Sequence, residues 1–325
     1  MTTAAAASAA SAGAPDAGLR PAADIAREIA ADAANPLGLD GIEFVEYATT
    51  RPQALGQALE RMGFRPVARH RSREVLLYRQ GSMNIIVNAH GSDLPHAVQP
   101  GERPVISAIA LRVRDAAAAY RRALDLGAWA VPTRVEVMEL NIPAIHGVGN
   151  SRLYFVDRYR EFSIYDVDFV PIPGVDLRPP AVTGLHWFGL VQYIGNDRRE
   201  DWSAFYGTLF GFKPLPDEER FGVMPKGRVL VSPDDGPSRF YLQLVEPEPG
   251  ILEVSGQEYL QCIGLGTPDV LASVAALRLR DVGFVQAPGL VPDERGALTD
   301  SRLGGVVFEL VRDSRATRPA ADAGR

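Results

Sequence analysis

The chain has 325 residues, with 34 lysines and arginines against 40 acidic residues and a formal charge of −6, a balance that disfavours nucleic acid as its partner. A hydrophobic fraction of 46% with 23% charged residues permits an ordinary core and excludes wholesale disorder. The length allows about two domains. A single cysteine, Cys262, excludes an internal disulfide framework and any multi-cysteine zinc or iron–sulfur centre, and points to a reducing, cytoplasmic compartment. No apolar stretch approaches the roughly 18 residues of a membrane span, so a soluble protein without membrane contact is expected.

The opening run MTTAAAASAASAGAPDAG lacks the basic start of a signal peptide and reads as a disordered tail. PAADIAREIAADAAN follows with alanine-rich helix propensity, Pro21 near its first turn and Asn35-Pro36 as its stop. Residues 1–36 are therefore expected to form a tail and a short leading helix. GIEFVEYAT alternates as a strand, QALGQALERMGF has the spacing of an amphipathic helix closed at Gly63, and RPVARHR, EVLLYRQ and MNIIVNA read as three further strands. The same order restarts at VISAIALRV, with the helix DAAAAYRRALDLG and strands near AVPTRVEVM, RLYFVDRY and FSIYDVDFV.

Beyond the proline-rich link VPIPGVDLRPPAV, a third unit opens with GLHWFGLVQYIG and the helix REDWSAFYGTLFGF. A fourth consists of YLQCIGLGT, the helix DVLASVAALRLRDVGF and the closing strand GGVVFELVRD. Internal repetition on this scale predicts an α+β fold of four βαβββ modules, paired into two open β-barrel domains over 37–172 and 182–313. The second would hold a ligand cavity, and 314–325 would be a disordered tail. Two lysines, Lys213 and Lys226, lie in polar or turn-like settings that give a Schiff-base mechanism little support. GVGNSR and GLGTPD lack the third glycine of a dinucleotide loop and read as turns.

NPLGLDGIEFVEY, ARHRSREVLLYRQGSMNIIVNA and MELNIPAIHGVGNSRLYFVDRYREFSIYDVDFV closely resemble the N-terminal domain of the 4-hydroxyphenylpyruvate dioxygenase family, within the vicinal oxygen chelate superfamily. DWSAFYGTLFGF, SPDDGPSRFYLQL, LQCIGL and GGVVFEL are similar to its C-terminal domain more loosely, so the resemblance covers roughly residues 36 to 313. It implies one iron(II) in the C-terminal barrel, held by two histidines and a glutamate. It also implies conversion of 4-hydroxyphenylpyruvate to homogentisate, and a homo-oligomeric assembly.

Matched residue by residue, two of the three implied ligands are missing. The first histidine would lie on the opening strand of the third module, where this chain aligns Leu190, or Gly189 if the register shifts by one. The second follows a glutamine on the opening strand of the fourth module, where Gln261 is followed by Cys262. Glu309 matches the glutamate. Of the five histidines, His70, His90, His96, His146 and His186, only His186 lies in the second half, so no site of two histidines can be built there. No metal is therefore expected, although iron(II) is the family's cofactor.

Glu309 becomes the leading catalytic candidate, because a carboxylate facing an apolar barrel must be paired, metal-bound or protonated. Strand alternation places His186, Leu190 and Gln192 on one inward face with Tyr193 outward, and Tyr241, Gln243, Gln261 and Cys262 complete the expected substrate-binding set. His90 and His146 sit in turn-rich loops, and the runs ARHRSR and DRYREF read as solvated faces or subunit contacts. The primary reading is a binding protein for a small aromatic 2-oxo acid or phenolic compound that has lost the iron-dependent reaction. The alternatives are a metal-free lyase or isomerase using Glu309, a dioxygenase with an atypical metal site, and an oligomeric scaffold.

Overall fold

A computed structural model describes residues 32–90, 103–132, 139–216, 219, 221–223, 227–234, 236–247 and 257–314. The first repeat comprises β1 (Ile42–Ala48), α1 (Pro52–Arg61), β2 (Arg65–His70), β3 (Val75–Gln80) and β4 (Met83–Asn88). The second runs β5 (Val105–Arg112), α2 (Ala116–Asp125), β6 (Ala144–His146), β7 (Arg152–Val156), α3 (Ile164–Asp168) and β8 (Phe169–Pro171). The third holds β9 (His186–Tyr193), α4 (Arg199–Phe210), β10 (Lys213–Pro214), β11 (Arg228–Val231) and β12 (Tyr241–Val245). The fourth has β13 (Tyr259–Thr267), α5 (Val270–Arg278), β14 (Gly296–Leu298) and β15 (Phe308–Arg312).

Local chemistry sets the helix ends. Pro52 opens α1, whose Leu55, Ala58 and Leu59 turn to the core. Asp115 caps α2 by accepting the Ala118 N–H at 2.8 Å, and Asp269 caps α5 by accepting that of Ala272 at 2.9 Å. Helix α4 closes at Gly211, whose φ of 79° is left-handed.

Strand pairing repeats between the halves. β1 lies parallel to β4 and antiparallel to β5, and β5 lies parallel to β7. β9 likewise pairs parallel with β12 and antiparallel with β13, which pairs parallel with β15. A single register contact, Leu260 with Ile106, joins β13 to β5, so all 15 strands belong to one mixed sheet. Helices α1, α2, α4 and α5 pack on one face of this sheet, over a core that includes Leu59, Leu190, Ile263, Phe308, Leu209 and Leu277. On the opposite face, hereafter the inner face, the N-terminal half has a second cluster around Phe44, Leu77, Ile86 and Phe169.

Two expectations change. FSIYDVDFV does not form one strand, because Asp166 accepts the Ser163 N–H at 2.7 Å and starts the short helix α3, leaving only β8 to pair with β2. The helix of the fourth module, α5, stops at Arg278 rather than spanning all of DVLASVAALRLRDVGF, and Asp281 makes the left-handed turn at φ 63°. Of the expected strand AVPTRVEVM, Ala130 forms a bridge with Ile145, while 133–138 lie outside the described residues. The leading helix, apart from 32–34, and the C-terminal tail from 315 onward also lie outside them.

Candidate functional site

On β9 the sequence Trp187-Phe188-Gly189 breaks strict alternation. Gly189 pairs with Gly264 but Trp187 with Leu265, so Phe188 is an extra residue on β9. Such a bulge flips the faces of everything beyond it. Trp187 and Leu190 enter the helix-packed core, whereas the Phe188 ring lies 4.7 Å from that of Tyr241 on the inner face. Gln192 is also on the helix side, where its Oε1 accepts the Tyr206 hydroxyl of α4 at 3.0 Å.

The expectation that Leu190 and Gln192 share the inward face with His186 is thereby corrected. Tyr193, expected to point outward, stacks on Tyr259 at 5.2 Å in the same cross-strand pair. A second bulge between Leu260 and Cys262 displaces Gln261. Its side chain lines a cleft of about 1230 Å³ between the halves, with Tyr259, His146 and Trp202, and its buried Oε1 has no hydrogen-bond partner. Gln261 is therefore not gathered with Tyr241 and Glu309.

The register brings Glu309 into one row with Gly264, Gly189 and Tyr241. Gln243 and Cys262 fall in the next row, on either side of Val191. Glu309 is 3% exposed, and its Oε1 accepts the Val223 N–H at 2.8 Å. A Cβ on Gly222 would meet that oxygen at 2.2 Å, so only glycine lets the Phe221–Val223 segment lie across the carboxylate. Phe221 closes the aromatic group, at 4.7 Å from the Phe188 ring and 5.1 Å from Tyr241. Phe188, Phe221 and Gly222 are site residues that alternation alone missed. The signal was the glycine inside a strand, which marks a bulge.

Cys262 is fully buried, and its thiol is pushed well above the ordinary value of 9.0, first by burial and then by the Glu309 carboxylate. The native state thus keeps a proton that the unfolded chain releases from about pH 9 upward. Stability carried by this group is present below that pH and is lost as pH rises above it. Denaturant titrations are expected to show this alkaline decline, and Cys262→Ala to delay its onset. A thiol reagent should label the native protein slowly and the denatured protein completely; prompt native labelling at neutral pH would refute the buried placement.

His186 stands at the end of β9. Its Nδ1 lies 3.0 Å from the Gly184 carbonyl oxygen and its Nε2 lies 3.2 Å from Asp313 Oδ2. It pairs with Gly266, two residues along β13 from the Gly264 that faces Glu309, and is committed to its own partners. The iron site implied by the family does not fit these residues. Gly189 stands in the row of Glu309, and a Cβ there would lie 2.2 Å from the Tyr241 carbonyl oxygen, so no ligating side chain can be added without parting β9 from β12. Cys262, in the next row, offers a sulfur where the family implies an imidazole nitrogen. Among the described residues no three His, Cys, Asp or Glu side chains converge as a metal-holding group.

The inner face of the N-terminal half has its own cavity of about 410 Å³, into which His70 and Arg73 of the ARHRSR run project. Those two residues are thus not simply solvated. Arg73 Nε donates to Glu139 at 3.0 Å, and Asp168 accepts the Leu140 N–H at 3.2 Å. Among the described residues no helix is long and apolar enough to cross a membrane.

A family profile described as Hydroxyphenylpyruvate dioxygenase, HPPD, N-terminal, matches residues 33–170. The chain is 34% identical over 281 residues to a 4-hydroxyphenylpyruvate dioxygenase of Pseudomonas sp. (strain P.J. 874), covering 83% of this chain and 76% of that relative. It is 35% identical over 285 residues to Hemolysin VllY of Vibrio vulnificus, covering 84% of this chain and 78% of that protein. Among solved structures, a mutant of 4-hydroxymandelate synthase from Streptomyces coelicolor superposes with a TM-score of 0.65 at 16% identity, over 87% of this chain and 95% of that one. This last likeness speaks to the fold alone. Identity at this level over most of both chains, with the matching N-terminal profile, makes this chain a member of the 4-hydroxyphenylpyruvate dioxygenase family.

Proposed function

We propose that this chain is a binding member of its family that has lost iron-dependent oxygenation, and that the inner face of its C-terminal half takes a small aromatic 2-oxo acid or phenolic compound. The observation that carries the reading is the row Tyr241–Gly189–Gly264–Glu309, in which a single carboxylate remains and Gly189 is pressed against backbone. The Phe188 and Tyr241 rings, 4.7 Å apart, offer stacking surfaces for an aromatic ring. Glu309 is an acceptor suited to a phenolic O–H, which would replace the Val223 N–H as the Phe221–Val223 segment lifts. Gln243 supplies a neutral amide on the same face. In this reading each half curls into an open barrel, and the protein works as a cytoplasmic homo-oligomer; its single cysteine accords with a reducing compartment.

The test is anaerobic iron(II) titration of the purified protein, with oxygen uptake measured on 4-hydroxyphenylpyruvate in the same preparation. Neither stoichiometric iron nor uptake is expected, whereas 4-hydroxyphenylpyruvate at about a hundredfold its Kd should stabilise the metal-free protein by roughly 2.7 kcal/mol. Phe188→Ala should diminish that stabilisation. Stoichiometric iron with uptake would overturn the reading, as would metal-free turnover abolished in Glu309→Gln, which would make the chain an enzyme using that carboxylate for proton transfer.

A further inference from the structure

The cleft between the halves collects polar atoms that the fold leaves unmatched. The Ser151 hydroxyl, His146 Nδ1 and Gln261 Oε1 belong to residues that line it, all three atoms are buried, and none has a hydrogen-bond partner. Ser151 as a whole is 6% exposed. Each such atom has given up water without a replacement, which costs free energy, so three in one cleft mark places where a bound molecule is wanted.

Two of the atoms come from the N-terminal half and one from the C-terminal half. His146 pairs with Arg152 of β7, and the Gly147 N–H donates to the Ser151 carbonyl at 2.8 Å, so His146 and Ser151 stand side by side. Gln261 follows Leu260, whose pairing with Ile106 joins the halves. The turn Val148–Asn150 draws the two sides together. Its Gly149 has a left-handed φ of 64°, and a Cβ there would lie 2.1 Å from the Glu258 carbonyl oxygen, so only glycine lets the turn rest against the start of β13. The three atoms also select the ligand. A carboxamide oxygen only accepts, so the ligand must donate, whereas a hydroxyl and an imidazole nitrogen can each donate or accept. Trp129 lines the same cleft with 77% of its surface exposed, an indole face open to stacking.

We propose that the cleft between the halves is a second binding site, for a neutral, flat aromatic heterocycle that carries an N–H donor beside ring acceptors. Gln261 Oε1 accepts from the N–H, Ser151 and His146 meet the ring acceptors, and Trp129 stacks on the ring; no bond is made or broken. Phe188, Tyr241 and Glu309 are not among the residues that line this cleft, so the site is separate from the C-terminal inner face and does not depend on the reading given for it.

Calorimetric titration of the full chain compares 9-methyladenine, whose only donors sit on its amino group, with its dimethylamino derivative, which keeps the ring and has none. The first should bind and the second should bind at least about tenfold more weakly, because it leaves Gln261 Oε1 unmatched. Gln261→Leu should weaken 9-methyladenine by about tenfold or more while the urea midpoint stays unchanged or rises, since an unmatched buried oxygen is removed. Trp129→Ala, at an exposed position, should weaken binding even if Gln261→Leu does not fold, and Phe188→Ala should leave it unchanged. The proposal fails if 9-methyladenine gives no binding heat, if the dimethylamino derivative binds as tightly, or if Gln261→Leu and Trp129→Ala both bind like the native chain. Loss of binding in Phe188→Ala would also overturn it, by placing the heterocycle on the C-terminal inner face.

Discussion

Installing a histidine at position 189 is expected to destabilise the protein by roughly 3 kcal/mol rather than to restore an iron ligand. Gly189 is the residue of β9 aligned with Glu309 through Gly264, the natural place for a ligand opposite the remaining carboxylate. A Cβ at 189 would nevertheless lie 2.2 Å from the Tyr241 carbonyl oxygen and 3.0 Å from its carbonyl carbon. These are backbone atoms of the neighbouring parallel strand β12, so no rotamer change relieves the contact. The strand must move, at the cost of hydrogen bonds along the β9–β12 pair. Urea denaturation of Gly189→His should show a lower midpoint at unchanged m, and the iron content should stay substoichiometric even with Cys262→His added. Native-like stability together with stoichiometric iron in the double variant would refute the steric argument and show that the backbone accepts a ligand at position 189.

Arg112→Ala should be equally costly for a different reason, at about 3–5 kcal/mol. Glu43 is 2% exposed on the inner face of the N-terminal half, and Arg112 Nε meets its Oε2 at 2.6 Å. The Asn84 amide adds hydrogen bonds to the Glu43 carbonyl at 3.0 Å and to Oε1 at 3.2 Å. Burial works to lower the Arg112 pKa, but the neighbouring Glu43 carboxylate outweighs it and holds the guanidinium above its ordinary value. Removing the cation leaves a buried carboxylate without its counter-ion, whereas Glu43→Leu with Arg112→Met removes both charges and should recover most of the loss. Equilibrium unfolding of the two single variants and the double variant measures the coupling. A single-variant loss below about 1 kcal/mol would mean that the pair is screened like a surface bridge.

The modules were legible because each carries its own punctuation. Alternating GIEFVEYAT, the apolar spacing of QALGQALERMGF and its closing glycine are local signals, and the structure returns them as β1, α1 and the turn at Gly63 with φ 101°. FSIYDVDFV misled because its apolar content mimics a strand, while the hydrogen bond that the Ser163 backbone N–H donates to the Asp166 carboxylate favours a helical turn. The candidate site was legible by residue type more than by position. Tyr241, Gln243, Cys262 and Glu309 do share the inner face of their half, whereas Leu190, Gln192 and Gln261 do not, and two bulges account for all three departures.

Residue identity and repetition are enough for the histidine count and the modular plan. One histidine in its second half cannot supply two imidazoles to a metal, and fourfold repetition of strand and helix patterns dictates a modular α+β chain. Which side chains meet depends on strand register. A bulge adds one residue to one strand and reverses every side chain beyond it, an effect without a period in the sequence. The close approach of β12 to Gly189 and the glycine strap over Glu309 arise between residues about 50 to 90 positions apart.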